Sequence, residues 1–354
     1  MNHKGNKRLP NQKFKTIKVE DAVGTALAHD ITEIRPGEFK GCSFRRGHIV
    51  EPKDLCHLMR LGKRHLYALD LQKDQVHEDK AVFELAEALA GPGVIFEQNP
   101  KEGKLELTAA VDGLLKVNVE TLTDFNLIED VMCASLHTNT PVTKGQKVAA
   151  TRAIPLVIER PMLDKAINTA CAGAPIFTVK PFKAMKVRLI ITGSEVYEGL
   201  IEDRFEKLVD QKITGYGALL LDTVILPDDR DLIAEKVTEF LEDGTDLIVT
   251  TGGMSVDPDD VTRAAIFDAG MDQLYYGAAV LPGAMFLLAY KGASAIAGIP
   301  ACGLYHQTTI FDLILPRLLA GERPAERDLA CLAHGGLCRD CKVCSYPACS
   351  FGKS

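Results

Sequence analysis

From Met185 to about residue 325 short apolar runs alternate with longer amphipathic ones, and this alternation constrains the fold more than any other feature of the chain. KVRLIIT, ALLLDTVIL, TDLIVTTGG and ASAIAGIP are apolar but brief, which suits buried strands of a parallel sheet. Between and after them lie DRFEKLVDQKITGYG, DDRDLIAEKVTEFLEDG, DDVTRAAIFDAG and TTIFDLILPRLLAG, which read as helices. Strands alternating with helices give right-handed βαβ units. The expectation for 185–325 is therefore an α/β domain: three layers around a doubly wound, mostly parallel sheet. Ligands of such sheets sit beyond the carboxyl ends of the strands.

The rest of the chain divides by texture. Residues 1–16 are basic and read as a solvated, flexible arm. Residues 17–75 read as a small α+β unit, in which KDLCHLMRLG puts Leu55, Leu58 and Met59 on one helical face between Pro52 and Gly62. Residues 76–180 read as a mixed, largely β region; AVFELAEALAG opens it and PMLDKAINTAC leads out of it as helices, with short alternating runs between. Residues 331–354 form a cysteine-rich tail. At 354 residues the chain has the length of two or three domains, and 46% apolar residues suffice for a sizeable core. A net charge of -7 argues against generic nucleic-acid binding, which needs Lys and Arg against phosphates. No apolar run reaches the roughly 18 residues of a membrane span. No apolar stretch follows the basic N-terminus as in a secretory signal, so a cytoplasmic location is expected.

The strongest internal motif is TTGGMSVDPDDV, residues 250–261. Thr250 and Thr251 close an apolar strand, and Gly252 and Gly253 permit a tight turn and close approach to a ligand. Ser255 adds a hydroxyl, and Asp257, Asp259 and Asp260 precede a helix. Free N–H groups at a helix start attract anions, and carboxylates beside them suit a phosphate that carries Mg²⁺. The alternative is a plain strand-to-helix loop with an Asp cap. Two further strand ends carry matching chemistry: Thr192, Gly193, Ser194 and Glu195 in ITGSE, and Asp228 and Asp229 in ILPDDRD. Three such ends on one sheet edge favour a site, and their carboxylates can position a divalent cation on a phosphate.

TGSE, an acidic segment, PDD and then TGGxSxxxxD is an order that resembles the molybdopterin-binding domain of molybdopterin molybdenumtransferases and adenylyltransferases. LPGAMF resembles that family's Pro-Gly segment and GIPACG its Gly-Leu-Pro-Gly turn. The resemblance covers about 140 residues. It implies a domain that takes molybdopterin or adenylated molybdopterin as ligand. Thr192, Gly193, Ser194, Glu195, Thr251, Gly252, Gly253, Ser255, Pro282, Gly283 and Pro300 would bind it. Glu195, Asp228 and Asp260 would hold Mg²⁺, with Asp228 and Asp260 in catalytic roles. It further implies molybdate insertion with release of AMP, a homodimer, and a molybdoenzyme or assembly protein as partner. Two departures leave open a non-catalytic protein that stores or delivers the cofactor. Leu281 and Ala284 stand where the transferases have lysines around the Pro-Gly pair. GEFKGCSFRRGHIV replaces their Asn-Ser-Ala-Met-Asp-Gly-Tyr loop.

Four of the ten cysteines fall in the tail GGLCRDCKVCSYPACSFGKS; the other six are scattered. Cys338, Cys341 and Cys344 are spaced as in ferredoxin-like C-x2-C-x2-C motifs, and Cys349 follows with Pro347 nearby. A [4Fe–4S] cluster fits this spacing better than Zn²⁺, which more often uses two separated CxxC knuckles. The remaining reading is a disordered, reduced tail. Cys302 has no neighbour that would activate its thiol, and His306 reads as structural.

Overall fold

The computed structural model describes residues 15–68, 72–101, 103–255, 257–258 and 260–353. The arm expected at 1–16 lies outside them apart from its last two residues. Beyond it, two short antiparallel pairings join Lys15–Lys18 to His65–Ala68 and Ile31–Arg35 to Phe39–Phe44. Pro52 opens a helical turn that continues into the helix Leu55–Arg60, and Gly62 follows in the left-handed conformation that ends it. Val19, Leu27, Ile31, Leu58 and Leu66 form the core of this unit.

The next region wraps two helices, Glu78–Leu89 and Arg160–Cys171, around antiparallel strands. Leu85, Leu89, Leu107, Phe125, Ala166 and Phe177 share its core. Within the stretch read as largely β, Val119–Asn126 instead forms a helix. The Asn118 side chain caps it by accepting from Thr121 N at 3.2 Å, and Phe125 is fully buried beneath it.

The α/β domain begins with β1 (Lys186–Thr192), the single turn α1 (Ser194–Tyr197) and α2 (Phe205–Thr214). It continues through β2 (Leu219–Leu226), α3 (Arg230–Glu242), β3 (Leu247–Thr251) and α4 (Thr262–Asp268). β4 (Gln273–Tyr276), β5 (Leu287–Lys291), β6 (Ser294–Ile299), α5 (Ile310–Leu319) and α6 (Glu326–Cys331) complete it. The six strands lie in the order β2-β1-β3-β6-β5-β4. β2, β1, β3 and β6 run parallel. β5 and β4 run antiparallel as a hairpin on one edge, an element that the sequence pattern did not suggest. Val187, Leu189 and Ile191 point to one face, where Val209 of α2 and Ile314 of α5 cover them. Ile190 and Ile248 point to the other, beneath Val237 of α3 and Ile266 of α4. The three layers thus follow from the two-residue period of buried strands between apolar helix faces.

Among the contacts of this domain with the preceding region is one half-buried carboxylate. Glu322 is held by Lys116 at 2.8 Å and Lys180 at 2.9 Å from that region, and by Arg317 of α5 at 2.9 Å. Burial alone would raise the Glu322 carboxyl, but the hydrogen bonds from the three cations outweigh it and hold the group at about 2.

Candidate functional site

Parallel register sets the strand ends side by side: Thr192 of β1 faces Leu226 of β2, Ile191 faces Thr251 of β3, and Thr251 faces Ile299 of β6. The loops that leave these ends are then knitted together. Asp228 Oδ2 accepts from Ser194 N at 2.8 Å and from its hydroxyl at 3.2 Å, while Asp228 N donates back to Ser194 Oγ at 3.2 Å. Gly193 N donates to the Leu226 carbonyl at 3.2 Å. The Thr192 hydroxyl donates to the Thr251 carbonyl at 3.1 Å and shares a 2.8 Å bond with the Thr262 hydroxyl.

The two glycines of β3's loop are dictated by this packing. Gly252 has φ +85°, and a Cβ there would lie 2.1 Å from the Thr192 carbonyl oxygen. Gly253 has φ +58°, and its Cβ would lie 2.3 Å from the Thr262 hydroxyl. Both positions therefore demand glycine for the protein's own closure, before any ligand enters.

The expected residues thus separate into groups. Thr192, Gly193, Ser194, Asp228, Thr251, Gly252 and Gly253 form one connected set. Glu195 turns back over its own loop, its carboxylate oxygens 3.2 Å from where a Gly193 Cβ would stand. Pro300 follows β6 directly and opens the turn Ala301–Leu304. Gly283 packs against α5, since a Cβ there would lie 2.5 Å from Ile310, whose N donates to the Pro282 carbonyl at 3.3 Å. Ser255 is exposed. The Asp260 carboxylate accepts from Asp257 N at 3.3 Å, and Asp260 N donates to the Asp257 carbonyl at 3.0 Å. Asp259 lies outside the described residues.

Two local readings change. The acidic run does not cap α4, whose first residue is Thr262 and whose N-cap is Val261 with no side-chain bond. Asp229 does cap a helix, accepting from Asp231 N at 3.0 Å and Leu232 N at 3.1 Å, so it serves α3 and leaves Asp228 for the loop. Thr262 escaped notice because its role depends on β1. The same holds for Tyr276, whose hydroxyl donates to the buried Met254 carbonyl at 2.6 Å and whose ring sits under Arg263 at 4.5 Å.

Among the described residues, no three His, Cys, Asp or Glu side chains sit close enough together to hold one metal ion. The trio Glu195, Asp228 and Asp260 is therefore not gathered into a magnesium cage. Asp228 Oδ1 accepts from none of the described residues.

The tail is packed in place, which removes the reading of a disordered end. Phe351 is buried against Leu313 and its neighbours, the Tyr346 hydroxyl donates to the Asp312 carbonyl at 3.0 Å, and Gly352 N donates to the Gly335 carbonyl at 2.9 Å. Leu281 N donates to the Gly336 carbonyl and Cys338 N to the Leu281 carbonyl, both at 2.8 Å. This short parallel ladder ties the tail to the residue before Pro282. Cys338, Cys341, Cys344 and Cys349 all line one open cavity of about 260 Å³, whose lining also includes residues 305–308. The Thr308 hydroxyl lies 3.1 Å from the Cys344 sulfur, and His306 Nδ1 lies 3.2 Å from Asp340. Cys302 stands apart from the tail thiols, and burial pushes its thiol upward, as befits an unreactive cysteine.

Comparison with known proteins finds two family matches: a probable molybdopterin binding domain over residues 188–320, and a domain of unknown function over residues 16–70. A CinA-like protein of Fervidobacterium nodosum is 36% identical over 81 residues, 23% of this chain and 20% of that relative. This chain therefore spans only about a fifth of the first such relatives. A molybdopterin molybdenumtransferase of Haemophilus influenzae is 26% identical over 152 residues, 41% of this chain and 37% of the relative. Among solved structures, the molybdopterin biosynthesis enzyme MoaB of Thermus thermophilus aligns at 19% identity and TM-score 0.34, over 39% of this chain and 98% of its own. The molybdopterin biosynthesis Mog protein of Mycobacterium ulcerans aligns at 21% identity and TM-score 0.34, over 38% of this chain and 95% of its own.

Proposed function

We propose that the α/β domain binds molybdopterin, free or adenylated, at the joined ends of β1, β2 and β3. The observation that carries this reading is the connected set Thr192–Ser194, Asp228, Gly252–Gly253 and Thr262, which lies where doubly wound sheets take their ligands. The family match over residues 188–320 supports it. The main chain of Gly252–Gly253 supplies amide groups of the kind that cradle phosphate oxygens, and the Thr192 and Ser194 hydroxyls, bonded to Thr251 and Asp228, hold that loop set in place. Asp228 positions the Ser194 turn through Oδ2 and offers Oδ1 to a cation.

Mg²⁺ fits this arrangement in the way it fits most phosphate sites, held by one or two carboxylates and by the ligand's own phosphates. Asp228, with Glu195 or Asp260, would be those carboxylates, and the cation would offset charge on the phosphate. Pro282, Gly283 and Pro300 would border the pterin end. The tail cysteines would ligate a second metal centre.

Storage or delivery of the cofactor is favoured over molybdate insertion by one feature. Leu281 and Ala284 give the Pro-Gly segment no cation for an oxyanion, and the Leu281 main chain is committed to the tail. The test is anaerobic binding of molybdopterin to the full chain, followed by its fluorescence after oxidation. The wild type is expected to retain pterin. Asp228→Ala is expected to bind about tenfold or more weakly, as befits loss of a charged hydrogen-bonding group. A chain that retains no pterin, or an unaffected Asp228→Ala, ends the reading. AMP release from the adenylated form with molybdate would restore insertion over delivery.

A further inference from the structure

We propose that the C-terminal tail holds a [4Fe–4S] cluster, ligated by Cys338, Cys341, Cys344 and Cys349, inside the cavity they line together. A single Zn²⁺ takes four thiolates at about 2.3 Å each, which draws them to one point. The tail instead places three cysteines at the C-x2-C-x2-C spacing of cluster ligands, with Cys349 five residues after the third. All four border the same cavity of about 260 Å³. Four thiols that share one cavity at this spacing form a ligand set that a polynuclear cluster can use.

The lining has the chemistry to match. Each cysteine binds as thiolate, its proton leaving to solvent, so a core of charge 2+ with four thiolates carries a net charge of 2−. Arg339 and Lys342 line the same cavity and oppose that charge, while Asp340, also in the lining, pairs with His306 and offsets one of them. The buried Thr308 hydroxyl already lies 3.1 Å from the Cys344 sulfur, positioned to donate to a ligating thiolate. Cys133 is excluded from such a role: it is buried in another core, where desolvation pushes its thiol up to about 12.

The cluster site rests on the tail alone and is independent of the pterin reading. Its test is the iron, zinc and acid-labile sulfide content of the full chain, purified without oxygen and reconstituted with iron, sulfide and zinc together. The expected result is about four irons and four sulfides per chain, with a broad absorbance near about 400 nm that dithionite bleaches. The double variant Cys341→Ser with Cys344→Ser is expected to lose iron about tenfold, while Cys171→Ser, at an exposed position on another helix, keeps it. If circular dichroism shows the double variant unfolded, Cys341→Ser alone, at an exposed position, carries the test with an iron loss of about twofold or more. Stoichiometric zinc in place of iron, absence of both metals, or iron content unchanged in the folded variants overturns the proposal.

Discussion

At the ends of β1 and β3 the main chain is closed on itself: a methyl group on Gly252 would stand 2.1 Å from the Thr192 carbonyl oxygen, and Thr192, Thr262, Ser194 and Asp228 are bonded to one another. In the tail the four thiols face a cavity, and the segment is moored by Tyr346, Phe351 and a short main-chain ladder to Leu281. The first region is organised by the protein before any ligand arrives. The second has its ends fixed and its interior left to whatever the thiols hold. One would fail by loss of fold, the other by loss of its contents.

The sharpest way to break this contrast is Gly252→Val. Valine must leave the left-handed conformation and displace a backbone carbonyl, so a loss above about 4 kcal/mol is expected from urea unfolding. Unfolding within about 1 kcal/mol of the wild type would mean that the loop is not rigid and that the two regions do not differ in kind.

Next in size is Glu322→Gln, which leaves Lys116, Lys180 and Arg317 facing one another at the junction. Loss of this half-buried, multiply paired carboxylate is expected to cost about 2 to 3 kcal/mol in the same measurement. The pH profile sharpens the point. The folded carboxyl, at about 2, lies below its ordinary value of 4.5. Its contribution is therefore complete above about pH 4.5 and fades as pH falls toward 2. The variant's curve is expected to lack that acid-side slope; an unchanged slope would assign the effect elsewhere.

The smallest effect is expected from emptying the tail. Removing its metal with a chelator should leave hydrogen exchange in β1 and β3 unchanged, with protection within about 0.5 kcal/mol. A large loss of protection in these strands would show that the tail's contents hold the sheet together, and the contrast would disappear.

The sequence made β1, β3 and β6 legible because both their faces are largely buried, which leaves short apolar runs such as LIV; β2 is as apolar, yet it lies on the sheet edge with Leu219, Leu221 and Ile225 exposed. The β4–β5 hairpin was not legible. QLYY is half-exposed on the sheet edge, and the Pro-Gly segment separates it from LLAYK, so neither alternation nor spacing marks the pair. The helix Val119–Asn126 was hidden by its β-branched Val and Thr residues, which favour strands locally; its one signal was Asn118 as cap. The strand-end glycines, Ser194 and Asp228 were legible as candidates, but the bond between Ser194 and Asp228 was not. Thr262 and Tyr276 were not, because their partners, Thr192 and Met254, lie 70 and 22 residues away along the chain. The tail's cysteine spacing was plain, but the wall formed by residues 305–308 comes from a turn that only folding brings near.

The ladder between Leu281 and the tail has a consequence of its own. It makes the residue before the proposed pterin-bordering segment and the residue before the first tail cysteine, Leu281 and Leu337, two rungs of one object. Whatever factor by which filling the tail alters affinity at the strand ends, a ligand at the strand ends must alter the tail's affinity by that same factor, because the two binding free energies share one cycle. A titration at either end therefore reads both, and a metal content measured with and without pterin is a measurement of communication.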